Sequence, residues 1–181
     1  MKNLIKNISQ EYAEEQEKVL SIPSLKFFDD DWNLLQKFLK SKGNPKWKMS
    51  GDLVLHETPI ETLGNLQSVD GYLFLSEAPI ESLGSLTSVG SNLILSYTPI
   101  ETLGNLTYVG GYLDLGWTPI QSLGKLTSVG GYLDLYNTPI KSLGNLTSVG
   151  GDLTLGDTPL SKKYSVDEIR QMVNIEGNIY M

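Results

Sequence analysis

The chain has 181 residues, 40% of them hydrophobic, and a net charge of −7, which suits a single domain with a sizeable core. It has no cysteine, so disulfides, thiolate metal sites and a cysteine nucleophile are excluded. No stretch approaches the roughly 20 apolar residues needed to cross a bilayer, and no membrane partner is expected.

Residues 1–50 read as a helical N-terminal cap. The first segment has a Lys start but neither an apolar core region nor a small-residue cleavage site. It therefore reads as part of the mature protein, and a cytoplasmic setting is expected. Leu4, Ile5, Ile8, Tyr12 and Val19 share one helical face. Ser-Ile-Pro-Ser around Pro23 interrupts it. A second helix is predicted to start at Asp29–Asp31, where acids favour the positive end of the helix dipole, rather than at a metal cluster. Trp32, Leu35, Phe38 and Leu39 follow at helical spacing, and Gly43-Asn44-Pro45 closes the helix.

Residues 51–160 carry five and a half copies of one twenty-residue unit, beginning at Gly51, Gly71, Ser91, Gly111, Gly131 and Gly151. Counting from each start, positions 3 and 5 are Leu in every unit, and position 9 is Pro. Position 10 is Ile five times and then Leu160; positions 13 and 16 are Leu and position 19 is Val in all five full units. A fixed period of this length signals a solenoid, whose units bury a core only by stacking. Leu-x-Leu alternates with period two and predicts a short strand with both Leu inward. Thr-Pro ends it, because Pro cannot donate to a ladder. From position 10 to position 19 the apolar residues fall every third residue, but position 14 is Gly in every full unit. Extended or 3₁₀ turns are expected there, not an α-helix. Strands in the same phase must pair in parallel, about 4.8 Å apart. Met49 stands at the Val position ahead of the first unit, so residues 46–49 are expected to dock the N-terminal cap.

Residues 161–181 read as a C-terminal cap. Ile175 to Met181 matches Val149 to Leu155 position for position, which predicts a last strand over about 177–181. The insertion before it predicts a helix over about 166–173, opened by the capping box Ser165-Val166-Asp167-Glu168. Ile169, Met172 and Val173 are placed on its inner face.

The pattern L-x-x-V-x-x-x-L-x-L-x-x-T-P-I-x-x-L resembles leucine-rich repeats, over residues 51–160. It departs from that family where Thr or Ala (Thr58, Ala78, Thr98, Thr118, Thr138, Thr158) stands at the usual buried Asn, and one extra residue separates Val from the strand. The Val-Gly-Gly-x-Leu-x-Leu run is similar to the coils of receptor L domains. Pentapeptide repeats also make twenty-residue coils but need inward residues every fifth position. The resemblance implies a repeat solenoid with a parallel β-sheet on one face, a non-helical convex side, and a ligand-facing concave sheet. Compact cysteine-free repeats of this kind look like those of bacterial and bacteriophage proteins, which implies an inhibitor or sequestering role.

With Leu inward, positions 2, 4 and 6 face out and position 7 lies at the rim. Aromatic and acidic residues and one Ile collect there: Tyr72, Phe74, Ile94, Tyr97, Tyr112, Asp114, Trp117, Tyr132, Asp134 and Tyr136. Such residues dominate protein-binding hot spots, and the expected function is non-enzymatic binding of another protein. Tyr112, Trp117, Tyr132 and Tyr136 also suit sugar or small-ligand stacking as an alternative. Position 11 forms an acidic edge of Glu61, Glu81 and Glu101. The repeat body holds eleven acids against two Lys, while residues 1–50 hold nine Lys against seven acids. Phosphate affinity rests on Lys and Arg, so nucleic acid is not an expected ligand; a basic or neutral protein surface is. Mimicry of nucleic acid is a further alternative, but a body about 25 Å long falls short of the roughly 15 charges of an equal length of duplex.

No catalytic site is read. Asp114 and Asp134 are neighbours on adjacent strands at about the 5 Å of a retaining glycosidase pair, yet groove and supporting acids are missing. Ca²⁺ needs six or more oxygens in a cage. His56 is the sole His and reads as an exposed residue of the first rung, without partners for a triad or a zinc site. Leu123-Gly124-Lys125-Leu126 fails as a phosphate loop, since Pro119 and Leu126 replace the required Gly and Ser or Thr. No cofactor is expected. Asn105 and Asn145 begin N-x-T tripeptides that read as repeat grammar.

Overall fold

The computed structural model describes residues 19–181. The helical face assigned to Leu4, Ile5, Ile8 and Tyr12 lies outside the described residues. The chain from residue 47 onward winds as a parallel β-solenoid of about five turns, with one twenty-residue unit per turn.

Two parallel sheets line the coil. The Leu-x-Leu strands form a seven-stranded sheet: Leu53–Val54, Leu73–Phe74, Leu93–Ile94, Leu113–Asp114, Leu133–Asp134, Leu153–Thr154 and Ile179–Tyr180. Register follows the repeat, with Leu133 opposite Leu113 and Asp134 opposite Asp114. The second sheet has eight strands and is built on the position-19 Val. Ser88–Val89, Tyr108–Val109, Ser128–Val129 and Ser148–Val149 pair in the same phase. Extended backbone or 3₁₀ turns are expected in this half of the unit, and the extended alternative holds at positions 18 and 19. The Val side chains are buried and their neighbours pair with the next rung, so a two-residue ladder forms there as well.

Every repeating inward position is buried. Leu113, Leu115, Ile120, Leu123 and Leu126 have no exposed surface and Val129 has 1%, and the equivalent residues of the other rungs join them in one continuous core. Two backbone demands explain the glycines at positions 14 and 20, the first constant and the second replaced once, by Asp70. At position 14 the chain turns with φ near +58°, as at Gly104 and Gly64, a region that L side chains enter at a cost. At position 20, Gly130 passes so close to the previous rung that a Cβ would collide with the Gly110 carbonyl oxygen.

Position 8 carries a buried hydroxyl in four of the units. Thr98, Thr118, Thr138 and Thr158 are buried, and each Oγ1 donates to the carbonyl of the Leu three residues earlier at 2.6–2.8 Å. A buried hydroxyl is thereby satisfied inside the turn. Position 6, expected to face outward, is instead buried at Ser76 and Ser96; the Ser76 hydroxyl donates to the Ser96 carbonyl at 3.1 Å.

Among the described residues, the N-terminal cap is a short 3₁₀ helix (Leu25–Phe28) and one α-helix framed by two strands. Val19 was assigned to a helical face, but it precedes the strand Leu20–Ile22 and is exposed. That strand pairs in parallel with Trp47–Met49, which pairs in turn with Leu66–Val69, so the cap extends the eight-stranded sheet. Met49 lies opposite Val69 as expected. Helix α1 (Trp32–Ser41) starts at Asp31, whose Oδ1 accepts from the Asn33 and Leu34 amides at 2.7 and 3.2 Å. Trp32, Leu35 and Leu39 are buried beneath it, with the Trp32 and Trp47 rings 6.1 Å apart. Gly43 and Asn44 then turn left-handed and end the helix.

At the other end, the last rung inserts α2 (Pro159–Lys163) and α3 (Val166–Met172). The position-9 Pro, a strand stop elsewhere, opens α2, with Thr158 as its cap. Ser165 and Glu168 form the expected reciprocal capping box of α3. Ile169 and Val173 are buried, whereas Met172, placed on the same inner face from the sequence, is exposed. The chain then returns as Asn174–Ile175 and Ile179–Tyr180, closing both sheets with Ile175 opposite Val149 and Ile179 opposite Leu153. Arg170 ties this return down by donating to the Ile175 and Gly177 carbonyls, both at 2.7 Å.

Candidate functional site

The outer face of the seven-stranded sheet gathers the aromatic residues. Tyr112 and Tyr132 occupy position 2 of adjacent rungs, and their rings stack at 4.7 Å and 6°. At the rim, Tyr97 and Trp117 stack at 5.9 Å and 12°, and Tyr136 meets Trp117 edge-on at 6.0 Å. Tyr97 and Trp117 are each more than half exposed. Parallel strands at one register force like positions into columns, and the columns become ring stacks. Ile94 and Phe74 are half-buried on the same face, Tyr72 is exposed, and Val54 extends the apolar strip to the first rung.

Position 7 has a second property, which the sequence pattern did not reveal. Glu57, Glu77, Tyr97, Trp117, Asn137 and Asp157 all adopt left-handed backbone, with φ between +52° and +61°. Asn and Asp tolerate that conformation, whereas bulky aromatic residues pay for it. Tyr97 and Trp117 therefore stand at the rim against local preference.

Asp114 and Asp134 lie between the two aromatic columns, both half-buried. Each carboxylate accepts an amide two residues on: Gly116 N–H to Asp114 at 2.9 Å and Tyr136 N–H to Asp134 at 2.8 Å. They are turn-forming as well as charged. Burial pushes the Asp134 carboxyl up; the Tyr136 amide opposes this, and the Asp114 charge adds to it. Burial also raises the Tyr112 and Tyr132 hydroxyls, reinforced by the neighbouring carboxylates. The result is a shallow anionic centre walled by rings, a suitable seat for a guanidinium or ammonium group.

The remaining position-2 residues have a structural task. Asp52, Asn92 and Asp152 accept the amide of the following rung, from Tyr72, Tyr112 and Asn178, at 2.7–3.0 Å. Glu61, Glu81 and Glu101 are exposed along a different edge of the coil; Glu81 N–H donates to the Glu61 carbonyl at 2.9 Å, which holds the column in register. Further along it, Lys141 donates to Gln121 at 2.9 Å.

His56 is half-buried, not simply exposed. Its ring stacks on Phe74 at 5.1 Å and 4°, and Nδ1 lies 2.8 Å from the Ser76 carbonyl. Beside it, a depression lined by Ser24, Leu25, Lys26, Asp30, Val54 and Tyr72 joins the N-terminal cap to the sheet face. That junction was not legible in the sequence, because the cap residues are far from the rung in chain order. Among the described residues, no helix is long and apolar enough to cross a membrane.

Fold and face together define a class: a helix-capped parallel β-solenoid with leucine-rich strands and an aromatic, acidic outer sheet face. Beyond that class no relative places the chain, since no family model, curated protein or solved structure matches it.

Proposed function

We propose that the protein is a non-enzymatic interaction module of leucine-rich-repeat type, binding another protein through the exposed face of the seven-stranded sheet. The observation that carries this reading is the run of stacked, solvent-facing rings Tyr97, Trp117 and Tyr136 beside Tyr112 and Tyr132, flanking Asp114 and Asp134. Rigid aromatics around a polar centre are the anatomy of a binding hot spot. The half-buried, mutually repelling carboxylates favour a partner that inserts an Arg or Lys side chain between the ring columns. A basic or neutral partner surface also fits the acidic repeat body. Following the resemblance to bacterial and bacteriophage repeats, the partner is a host factor that the protein sequesters, in the cytoplasm.

The test is affinity capture from a lysate with the wild type and with the Tyr112→Ala, Trp117→Ala, Tyr136→Ala variant, folding being checked by circular dichroism. A protein retained only by the wild type supports the reading. The same protein retained by both moves the site elsewhere, to the N-terminal cap or the acidic edge. A second reading, sugar binding by ring stacking, is favoured by the coplanar Tyr112–Tyr132 pair; glycan-array binding that survives moderate salt and is lost in the variant selects it.

A further inference from the structure

The first two rungs bring three metal-ligating side chains together at the rim, in the column that Tyr97 and Trp117 continue. His56 Nδ1 lies 2.8 Å from the Ser76 carbonyl, which can only accept, so Nδ1 carries the proton. In the neutral ring the lone pair is then on Nε2. Nε2 lies 3.4 Å from Glu57 Oε1. A proton on Nε2 or a metal ion can each fill the space between these two groups. Two donors bound 2.0–2.1 Å from a tetrahedral ion lie about 3.4 Å apart, so the pair already has the spacing of one edge of such a site.

Glu77 supplies the third donor. It occupies the same left-handed position as Glu57 one rung on, so both carboxylates leave the coil from the same edge. One donor atom each from His56, Glu57 and Glu77 lie within 4.8 Å of one another. The ring is held in place from both sides, by the Phe74 stack and by the Ser76 hydrogen bond. A backbone carbonyl that takes the non-ligating ring N–H is the usual support of a metal-binding imidazole. We propose that His56, Glu57 and Glu77 form a binding site for a divalent transition-metal ion of the Zn²⁺ class. One imidazole and two carboxylates match its borderline preference and cancel its charge. Three protein donors leave a fourth position open to solvent.

The chain has one His and no Cys, so imidazole-dependent metal binding reports on this site alone. The experiment is calorimetric titration of untagged protein with Zn²⁺ at neutral pH, alongside NMR of the single imidazole. The expected result is one equivalent bound with a shift of the imidazole signal, both lost in His56→Ala. Glu57→Gln and Glu77→Gln, which preserve size, are each expected to weaken Zn²⁺ by at least about tenfold. Ca²⁺, which needs six to eight oxygens, is expected not to compete. Absence of saturable Zn²⁺ binding overturns the site, as does binding that survives His56→Ala. Binding lost in His56→Ala but unchanged in both Gln variants reduces it to a lone surface imidazole and overturns it equally.

Discussion

At the residue scale, Asp134 and Trp117 show how the aromatic face strains against its scaffold. Asp134 titrates higher in the folded chain than in the unfolded one, chiefly through burial. The folded state therefore holds its proton to higher pH, and stability declines as pH rises from the acid side through that range. Asp134→Asn keeps an oxygen for the Tyr136 amide and removes the charge. It is expected to raise the midpoint of thermal unfolding by about 1–2 °C at pH 7, the modest size reflecting partial exposure. Below the ordinary carboxylate range, where Asp134 is protonated in both states, variant and wild type should converge. Equal melting at pH 7 would show that burial costs the carboxylate nothing. Trp117 adopts φ of +61° with half its surface in water. Trp117→Asn suits that backbone and loses only ring stacking, so denaturant unfolding should change by less than about 1 kcal/mol. Partner binding should fall at least tenfold, as for a hot-spot residue. A folding loss as large as the binding loss would make Trp117 a scaffold residue.

At the element scale, the two glycine columns separate two physical causes. Gly124 turns with φ of +57°, and an added Cβ would meet nothing within 4 Å. Gly124→Ala should therefore cost about 1 kcal/mol, the conformational penalty alone. Gly130 has an ordinary φ but faces the Gly110 carbonyl. Gly130→Ala must push two rungs apart and should cost more, about 1–3 kcal/mol, as overpacking does. Chemical denaturation of the pair checks the order, and the reverse order would mean that the rungs slide freely. Position 14 is Gly in every full unit and position 20 in all but the first, where Asp70 stands, but the sequence does not distinguish a turn from a close approach. The capping box at Ser165 was legible because its partners are three residues apart. The burial of position 6 was not, because Ser76 finds its acceptor on the next rung.

For the whole molecule, one continuous core implies cooperative unfolding across rungs. Leu115 sits in the middle of the coil with no exposed surface. Leu115→Ala should cost about 2–5 kcal/mol through lost transfer energy and a cavity, with the transition remaining single. A negligible loss in equilibrium denaturation would contradict the inward assignment, and two separated transitions would contradict a common core.

The fixed period, the inward Leu, Ile and Val positions, the coil and the two caps were determined by the sequence alone. Those features repeat or are local, and a repeat converts sequence phase directly into stacking. The aromatic face was legible for the same reason, since equal positions must form columns. The second sheet, the strands of the N-terminal cap, the left-handed rim and the approach of Glu77 to His56 were decided only by the tertiary structure. Each depends on how one rung seats against the next, through backbone hydrogen bonds and contacts twenty residues apart that side-chain pattern does not encode.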